Sequence, residues 1–190
     1  MSIKSIVSII TLTVLLQGCV AVAVVGVVGG ASMATDNRSL GNQIDDQKIE
    51  LDAYAKLTQI DALRDNTNLQ VVSVNGSVLV IGQAPNSYLR DQAIKALNEV
   101  NGVKQLHNQI RISNNTSFVT KTSDVWLTSK VKASLFGAEK LDATNIKVIT
   151  ENGEVFLMGL VTKAQATMAV DIARNAGGVN RVFKIFEYLD

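Results

Sequence analysis

One short pattern occurs twice in this chain of 190 residues, at positions 71–82 and 148–159. In each copy, a run rich in β-branched residues is interrupted by Asn-Gly and closes on a second glycine. Asn-Gly between two apolar runs is a strong hairpin signal, because a type I′ turn needs positive φ at both central residues. The sequence therefore predicts two β-hairpins within a repeated structural unit.

The same order of elements surrounds both hairpins once their turn glycines, Gly76 and Gly153, are aligned. A stretch with helical spacing of apolar residues precedes each hairpin, and a second helix and a last strand follow it. The first helix, second helix and last strand are predicted at 46–65, 87–100 and 103–112 in the first copy, and at 123–136, 163–175 and 179–189 in the second. Asp46, and Ser123 or Asp124, are the expected N-caps of the two first helices.

Each copy thus has the order α-β-β-α-β. A three-stranded mixed sheet with one face covered by two helices is the economical way to bury the apolar faces of these elements. We therefore predict an α+β fold made of two tandem domains of this kind. Such small domains are only marginally stable alone, so we expect one copy to pack against the other.

The amino terminus has the pattern of an export signal. Lys4 is followed by an apolar run at 6–16 that is too short for a comfortable membrane span. The run leads into Leu-Leu-Gln-Gly-Cys at 15–19, which resembles the lipobox of bacterial lipoproteins. The resemblance implies that residues 1–18 are removed and that Cys19 is acylated, palmitate included. The alternative is an ordinary signal that happens to contain the chain's single cysteine.

An uncharged segment rich in valine, alanine and glycine follows the lipobox, at 20–34. Its glycines make a helix marginal, so we interpret residues 19–44 as a lipidated cysteine with a flexible tether. A transmembrane helix is the alternative. Val20, rather than an aspartate, follows the cysteine. By the resemblance to lipoproteins, this implies sorting to the outer membrane, with the chain facing the periplasm.

Composition argues against several functional classes. A formal net charge of +1 gives no basic field, so we expect no binding to nucleic acid. One cysteine cannot form an intramolecular disulfide, and one histidine, His107, cannot supply a histidine-rich metal site. We expect His107 to be a surface or strand-edge residue. Without a glycine-rich phosphate loop or a nucleophile triad in the sequence, we predict a protein with no cofactor, metal or catalysis.

The two copies resemble the BON domain, an α-β-β-α-β module of bacterial envelope proteins. Its marks are a Gly-x-Val-x-Leu-x-Gly hairpin and a Gly-Val pair at the start of the last strand. These marks occur at 76–82 and 102–103 in the first copy, and at 153–159 and 178–179 in the second. The first copy departs slightly in its last strand, where Leu106 carries the apolar contact.

Two BON domains behind a lipobox resemble the dual BON-domain outer-membrane lipoproteins of Gram-negative bacteria. The predicted boundaries are 1–18 for the signal peptide, 19–44 for the lipidated tether, 45–114 for BON domain 1, 115–122 for a linker and 123–190 for BON domain 2. The resemblance implies a lipid-anchored, non-enzymatic protein that binds anionic phospholipid. It also implies that the protein supports outer-membrane integrity and concentrates at sites of cell division.

The two first helices differ in charge, and this difference locates a candidate site. The helix of the first copy is acidic, whereas that of the second carries Asp124 against Lys130 and Lys132. On a helical wheel, the second helix buries one stripe and leaves other apolar side chains outside it. The stripe consists of Leu127, Val131, Ser134 and Leu135. Tryptophan and lysine beside exposed apolar residues suit a membrane interface.

The predicted phospholipid-binding residues are Trp126, Val125, Lys130, Lys132 and Phe136. By the BON resemblance, the Trp126 position is also the one that the family uses for phospholipid contact. In the alternative interpretation, Trp126 packs between the two copies or onto the linker, and the two lysines form a solvated face. We expect a monomer whose partner is an anionic, phosphatidylglycerol-like membrane. The other hypothesis is a protein-interaction adaptor for envelope assembly or peptidoglycan remodelling that works through an exposed sheet edge.

Overall fold

The computed structural model describes residues 40–189. All of the described residues belong to one compact unit, residues 34–190. The predicted signal peptide, the lipidation site at Cys19 and the tether up to residue 39 lie outside the described residues. Among residues 40–189, no helix is long and apolar enough to cross a membrane.

Each domain contains two main helices, one short helical segment and three strands. In the first domain these are α1 (Leu40–Thr58), α2 (Asp61–Asn66), β1 (Asn68–Val74), β2 (Ser77–Ala84), α3 (Ser87–Asn98) and β3 (Gln105–Ile112). In the second they are α4 (Phe118–Phe136), a 3₁₀ turn (Ala143–Asn145), β4 (Ile146–Glu151), β5 (Glu154–Val161), α5 (Lys163–Asn175) and β6 (Arg181–Tyr188).

Both domains have the same sheet topology. The middle strand pairs antiparallel with the strand before it, across the Asn-Gly turn, and parallel with the last strand. Asn75 and Gly76 have φ of 54° and 78°, and Asn152 and Gly153 have φ of 53° and 73°. Positive φ at both turn positions confirms the two predicted hairpins. The predicted α+β fold with two three-stranded mixed sheets is also confirmed.

The first helix of the first domain extends further upstream than predicted. It begins at Leu40 and ends at Thr58, after which the chain turns into the separate helix α2. Asp46 therefore lies inside α1, and its prediction as an N-cap is wrong.

The first helix of the second domain also begins early, at Phe118. Ser117 caps it by accepting a hydrogen bond from the Thr120 amide at 3.2 Å. Ser123 and Asp124 lie inside α4, so neither is the N-cap. The segment predicted as a linker is consequently in part helical.

Asp46 and Asp124 have another role, because each holds the hairpin turn of its own domain. Both side chains are buried, and each carboxylate accepts hydrogen bonds from two turn amides. The amides lie at 2.7 and 2.9 Å in the first domain (Asn75 and Gly76) and at 2.7 and 2.8 Å in the second (Asn152 and Gly153). These charge-assisted bonds provide partners for buried turn amides and fix each first helix to its hairpin.

Each domain has an apolar core between its helices and one face of its sheet. The other faces of the two sheets pack against each other and form a third core. Its buried residues are Val72, Val74, Leu79 and Ile81 from the first domain, and Ile149, Phe156 and Met158 from the second. The central strands therefore bury both faces, which explains why their sequences are continuous apolar runs rather than alternating patterns. The expected packing of one copy on the other is confirmed.

Direct polar contacts also join the two domains. They connect Lys147 to Glu50 (2.8 Å), Asn75 to Glu187 (2.6 Å), Arg111 to Glu154, and Gln83 to Glu151. Because these directional bonds accompany the apolar contact, they define how the two sheets are placed against each other. The first helix of the second domain is thereby held in a fixed position relative to the first domain.

Candidate membrane-binding surface

α4 packs onto its domain through one narrow stripe. Its buried residues are Asp124, Leu127, Val131 and Leu135. They follow each other at three- and four-residue intervals, as expected for one side of a helix. Ser134 is exposed, so its predicted place in the stripe is wrong. Its hydroxyl donates instead to the Lys130 carbonyl at 3.1 Å.

The three apolar residues predicted to contact lipid lie outside that stripe. Val125 is 69% exposed, Trp126 is 60% exposed and Phe136 is 63% exposed. Trp126 therefore does not lie between the two domains, which is the first of the two places that the alternative interpretation gives it. Large apolar side chains clustered on one exposed side of a helix mark a surface suited to contact with another apolar surface.

Lys130 contacts the tryptophan ring. Its ammonium lies 4.9 Å from the centroid of the Trp126 ring, within the range of a cation–π contact. The same ammonium donates a hydrogen bond to the Gly177 carbonyl at 2.9 Å, just beyond the end of α5. Lys130 thus ties α4 to α5 and restricts the orientation of the Trp126 side chain.

Lys132 lies on the opposite flank of α4, at a cleft between the domains. The cleft has a volume of about 490 Å³, and Lys121 and Lys147 also line it. Lys121 donates to Asn68 Oδ1 at 3.1 Å, and Lys147 pairs with Glu50. Lys132 is exposed and adds positive charge to this flank.

The exposed side of α4 carries no carboxylate. The single acidic residue of this helix, Asp124, is buried and accepts the turn amides of Asn152 and Gly153. The helix also carries three lysines. An approaching anionic surface would therefore meet cations without a competing exposed carboxylate on this helix.

Two exposed apolar residues at the start of α4 were not predicted as part of the site. Phe118 is 84% exposed and Val119 is 76% exposed. The sequence pattern predicts a helix that starts at Ser123, and both residues therefore fall in the predicted linker. The available signal was Ser117, a good N-cap residue directly before an apolar pair.

His107 lies in β3, an outer strand of the first sheet, as expected for a strand-edge residue. Its Nε2 lies 3.1 Å from Ser77 Oγ. Partial burial lowers the pKa of His107 below its ordinary value, because desolvation disfavours the imidazolium. Within the described part of the chain, no three His, Cys, Asp or Glu side chains are grouped so that they could hold a metal ion.

Residues 45–114 and 123–187 each match the BON domain. The chain belongs to the BON-domain family. The two matches take in both α-β-β-α-β units. The second match begins inside α4, downstream of Phe118 and Val119.

The BON-domain chain is also similar to three named proteins along most of its length. It is 41% identical over 188 residues to the outer membrane lipoprotein DolP of Haemophilus influenzae, with 99% of this chain and 97% of that protein covered. It is 37% identical over 161 residues to the 21 kDa hemolysin of Actinobacillus pleuropneumoniae, with 85% and 83% covered. It is 26% identical over 156 residues to osmotically-inducible protein Y of Escherichia coli, with 80% and 77% covered. The similarity to DolP places the chain among outer-membrane-associated BON-domain lipoproteins.

Proposed function

We propose that this BON-domain protein is a non-enzymatic lipoprotein that binds anionic phospholipid through the outward side of α4. In this proposal, acylated Cys19 anchors a monomer in the outer membrane, facing the periplasm, and a phosphatidylglycerol-like lipid is its partner. Through this contact the protein supports outer-membrane integrity at sites of cell division. The observation that carries the proposal is the exposure of Val125, Trp126 and Phe136 on a helix whose only carboxylate is buried.

The energies suit a contact that orients an already anchored protein. Full burial of one large apolar side chain stabilises by about 1.5–3 kcal/mol, and partial insertion gives less. Each lysine near an anionic surface adds about 1 kcal/mol. Acyl chains on Cys19 contribute roughly 0.8 kcal/mol for each buried CH₂ group. The anchor therefore supplies retention, and α4 determines which side of the protein faces the lipid.

The Trp126 side chain is partly ordered before lipid binds. The Lys130 ammonium contacts its ring and is itself held by the Gly177 carbonyl. A side chain that is already restricted loses less conformational entropy on binding. Lys130 acts in this proposal as a positioning residue for Trp126, while Lys132 supplies charge on the opposite flank.

Vesicle flotation of residues 34–190 tests the proposal, because this range is one compact unit and contains no cysteine. The variant Trp126→Glu is compared with Trp126→Phe and with the unchanged sequence. We expect binding to phosphatidylglycerol vesicles and little binding to phosphatidylcholine vesicles. Trp126→Glu should lose at least about tenfold in affinity, and Trp126→Phe should retain most of it.

Ionic strength gives a second readout of the same contact. Raising the salt concentration from about 0.1 M to about 1 M shortens the Debye length from about 10 Å to about 3 Å, so binding should weaken. Undiminished binding by Trp126→Glu, or no binding by the unchanged sequence, would refute the assignment to α4.

A protein-interaction adaptor for envelope assembly or peptidoglycan remodelling is the alternative proposal. β3 and β6 are outer strands of their sheets, and α1 exposes Ile44 and Leu51. An outer strand can pair with an extended segment of a partner protein. Flotation separates the two proposals, because only lipid binding through α4 predicts that Trp126→Glu loses affinity for the vesicles.

A further inference from the structure

We propose that the lipid-binding surface starts in the first turn of α4, where Phe118 and Val119 insert into the same anionic bilayer as Trp126. This inference rests on the proposed function and extends the contact from three apolar residues to the full length of the helix. Phe118 and Val119 are the most exposed large apolar side chains among the described residues.

These two residues continue the apolar rows of the proposed site. In an α-helix, residues seven positions apart lie two turns apart on nearly the same side. Phe118 is therefore in line with Val125, and Val119 is in line with Trp126. With Phe136 at the other end, the exposed apolar residues extend over roughly 27 Å at 1.5 Å per residue.

The part of the helix surface between the two rows can be buried in the bilayer with a small desolvation penalty. It contains Thr122 and Ser129, and both hydroxyls donate to the backbone of their own helix. Thr122 Oγ1 donates to the Phe118 carbonyl at 3.0 Å, and Ser129 Oγ donates to the Val125 carbonyl at 3.0 Å. A hydroxyl that is already hydrogen-bonded avoids the desolvation penalty of a free donor. The whole outward side of α4 is thus compatible with the boundary between headgroups and acyl chains.

The charges near the first turn favour a bilayer with anionic headgroups as the occupant. The first turn of α4 contains no acidic residue, and Lys121 follows it on the Phe118 flank. Lys121 donates to Asn68 Oδ1, whereas Lys132 is exposed on the same flank and can lay its aliphatic stem along the apolar surface while its ammonium reaches the headgroups. Apolar rows bordered by lysines on both flanks match an anionic bilayer in both hydrophobicity and charge.

The added turn lies outside the BON module of this chain. The family match in the second domain begins at residue 123, whereas α4 begins at Phe118. Contacts at both ends of the helix would lay α4 parallel to the membrane plane.

Site-specific fluorescence on residues 34–190 tests this extension, because the range contains no cysteine of its own. Phe118→Cys and Val119→Cys each carry a nitrobenzoxadiazole label, and Ile44→Cys, exposed on α1, is the matched control. With phosphatidylglycerol vesicles, we expect a blue shift of both α4 labels and none of the control. Trp126, the single tryptophan, reports on the proposed site independently through its intrinsic emission.

Affinity provides a second measurement. Phe118→Glu should weaken vesicle binding about tenfold, while Phe118→Leu should stay within about twofold. Because Phe118 is exposed, urea unfolding should be unchanged in both variants.

The outcomes separate this inference from the proposed function. If Trp126 emission shifts on vesicle binding while the labels at 118 and 119 do not, and Phe118→Glu binds normally, the extension is wrong and the proposed function stands. If Trp126 emission does not respond either, the proposed function itself fails.

Discussion

The first helices of the two domains, α1 and α4, share a buried side and differ on the exposed side. Each contains an aspartate that holds the hairpin turn, with apolar core residues three, seven and eleven positions later. These are Ile49, Ala53 and Leu57 in α1, and Leu127, Val131 and Leu135 in α4. Because both helices pack on sheets of the same topology, the fold constrains this side in both copies.

The exposed side diverges at matched positions. Counted from the same aspartate, Gln47, Lys48 and Asp52 in α1 correspond to Val125, Trp126 and Lys130 in α4. One helix thus presents an amide and two opposite charges where the other presents two apolar residues and a lysine. Core packing thus preserves the fold of the repeat and leaves the outward side of the helix free to acquire a binding surface.

The acidic side of α1 makes a contact within the chain. Glu50 accepts the Ser73 amide at 2.8 Å and pairs with Lys147 of the second domain at 2.8 Å. This helix therefore helps to position the second domain, and its remaining negative charge would oppose an anionic membrane. In the proposed function, the first copy orients the second, and the second contacts lipid.

The largest effect, a loss of stability, should follow from removing the aspartate that holds the hairpin turn in each domain. Asp46→Ala removes the acceptor of two turn amides, so the free energy of unfolding should fall by about 3 kcal/mol, and Asp124→Ala should act similarly. Urea unfolding followed by circular dichroism measures both. Asp45→Ala, at the exposed neighbouring position, is the control and should change the value by less than about 0.5 kcal/mol. Losses below about 1 kcal/mol in both aspartate variants would show that the turns hold without these carboxylates.

A smaller effect, a partial gain in vesicle affinity, should follow when residues of the exposed side of α4 are introduced at the matched positions of α1. In the Trp126→Glu background, Lys48→Trp combined with Asp52→Lys should regain about fivefold in affinity for phosphatidylglycerol vesicles. Lys48→Trp alone is the control, because the retained Asp52 keeps its repulsion of the membrane. If the double variant binds no better than its background, these two positions do not explain the difference between the helices.

The smallest expected effect is a change with pH in the stability that His107 contributes. His107 and Phe183 occupy matched positions in the two sheets. His107 in β3 lies opposite Leu79, as Phe183 in β6 lies opposite Phe156. The lowered pKa of His107 means that the unfolded chain takes up its proton first as the pH falls. The stability contributed by neutral His107 is therefore full above its unfolded pKa, about 6.5, and is lost as the pH falls below that value.

Urea midpoints at about pH 7.5 and about pH 5.5 measure this contribution. The free energy of unfolding should fall more in the unchanged sequence than in His107→Gln, and the difference should be small because solvent still screens part of the ring. If the free energy of unfolding falls equally in the two sequences, or falls less in the unchanged one, the pKa of His107 is not lowered by folding.

Much of the fold was predictable because local signals occur twice. The hairpins follow from the positive-φ preference of Asn-Gly, and α5 has the predicted bounds of 163–175. The starts of α1 and α4 were mispredicted, because no residue at 42–45 of α1 or at 118–121 of α4 is buried, and buried residues give a helix its periodicity. The exposed apolar residues of α4 within 123–136 were predictable from the wheel, whereas Phe118 and Val119 were missed with the start of the helix.

The repeat, its two hairpins and the tryptophan among lysines could be predicted from the chain alone, since these depend on local backbone preferences and side-chain chemistry. Three features are visible only in the folded protein. The two sheets bury their second faces against each other, Asp46 and Asp124 bind turns rather than cap helices, and Lys130 reaches Gly177 beside Trp126. These contacts join residues far apart along the chain, and only packing brings them within bonding distance.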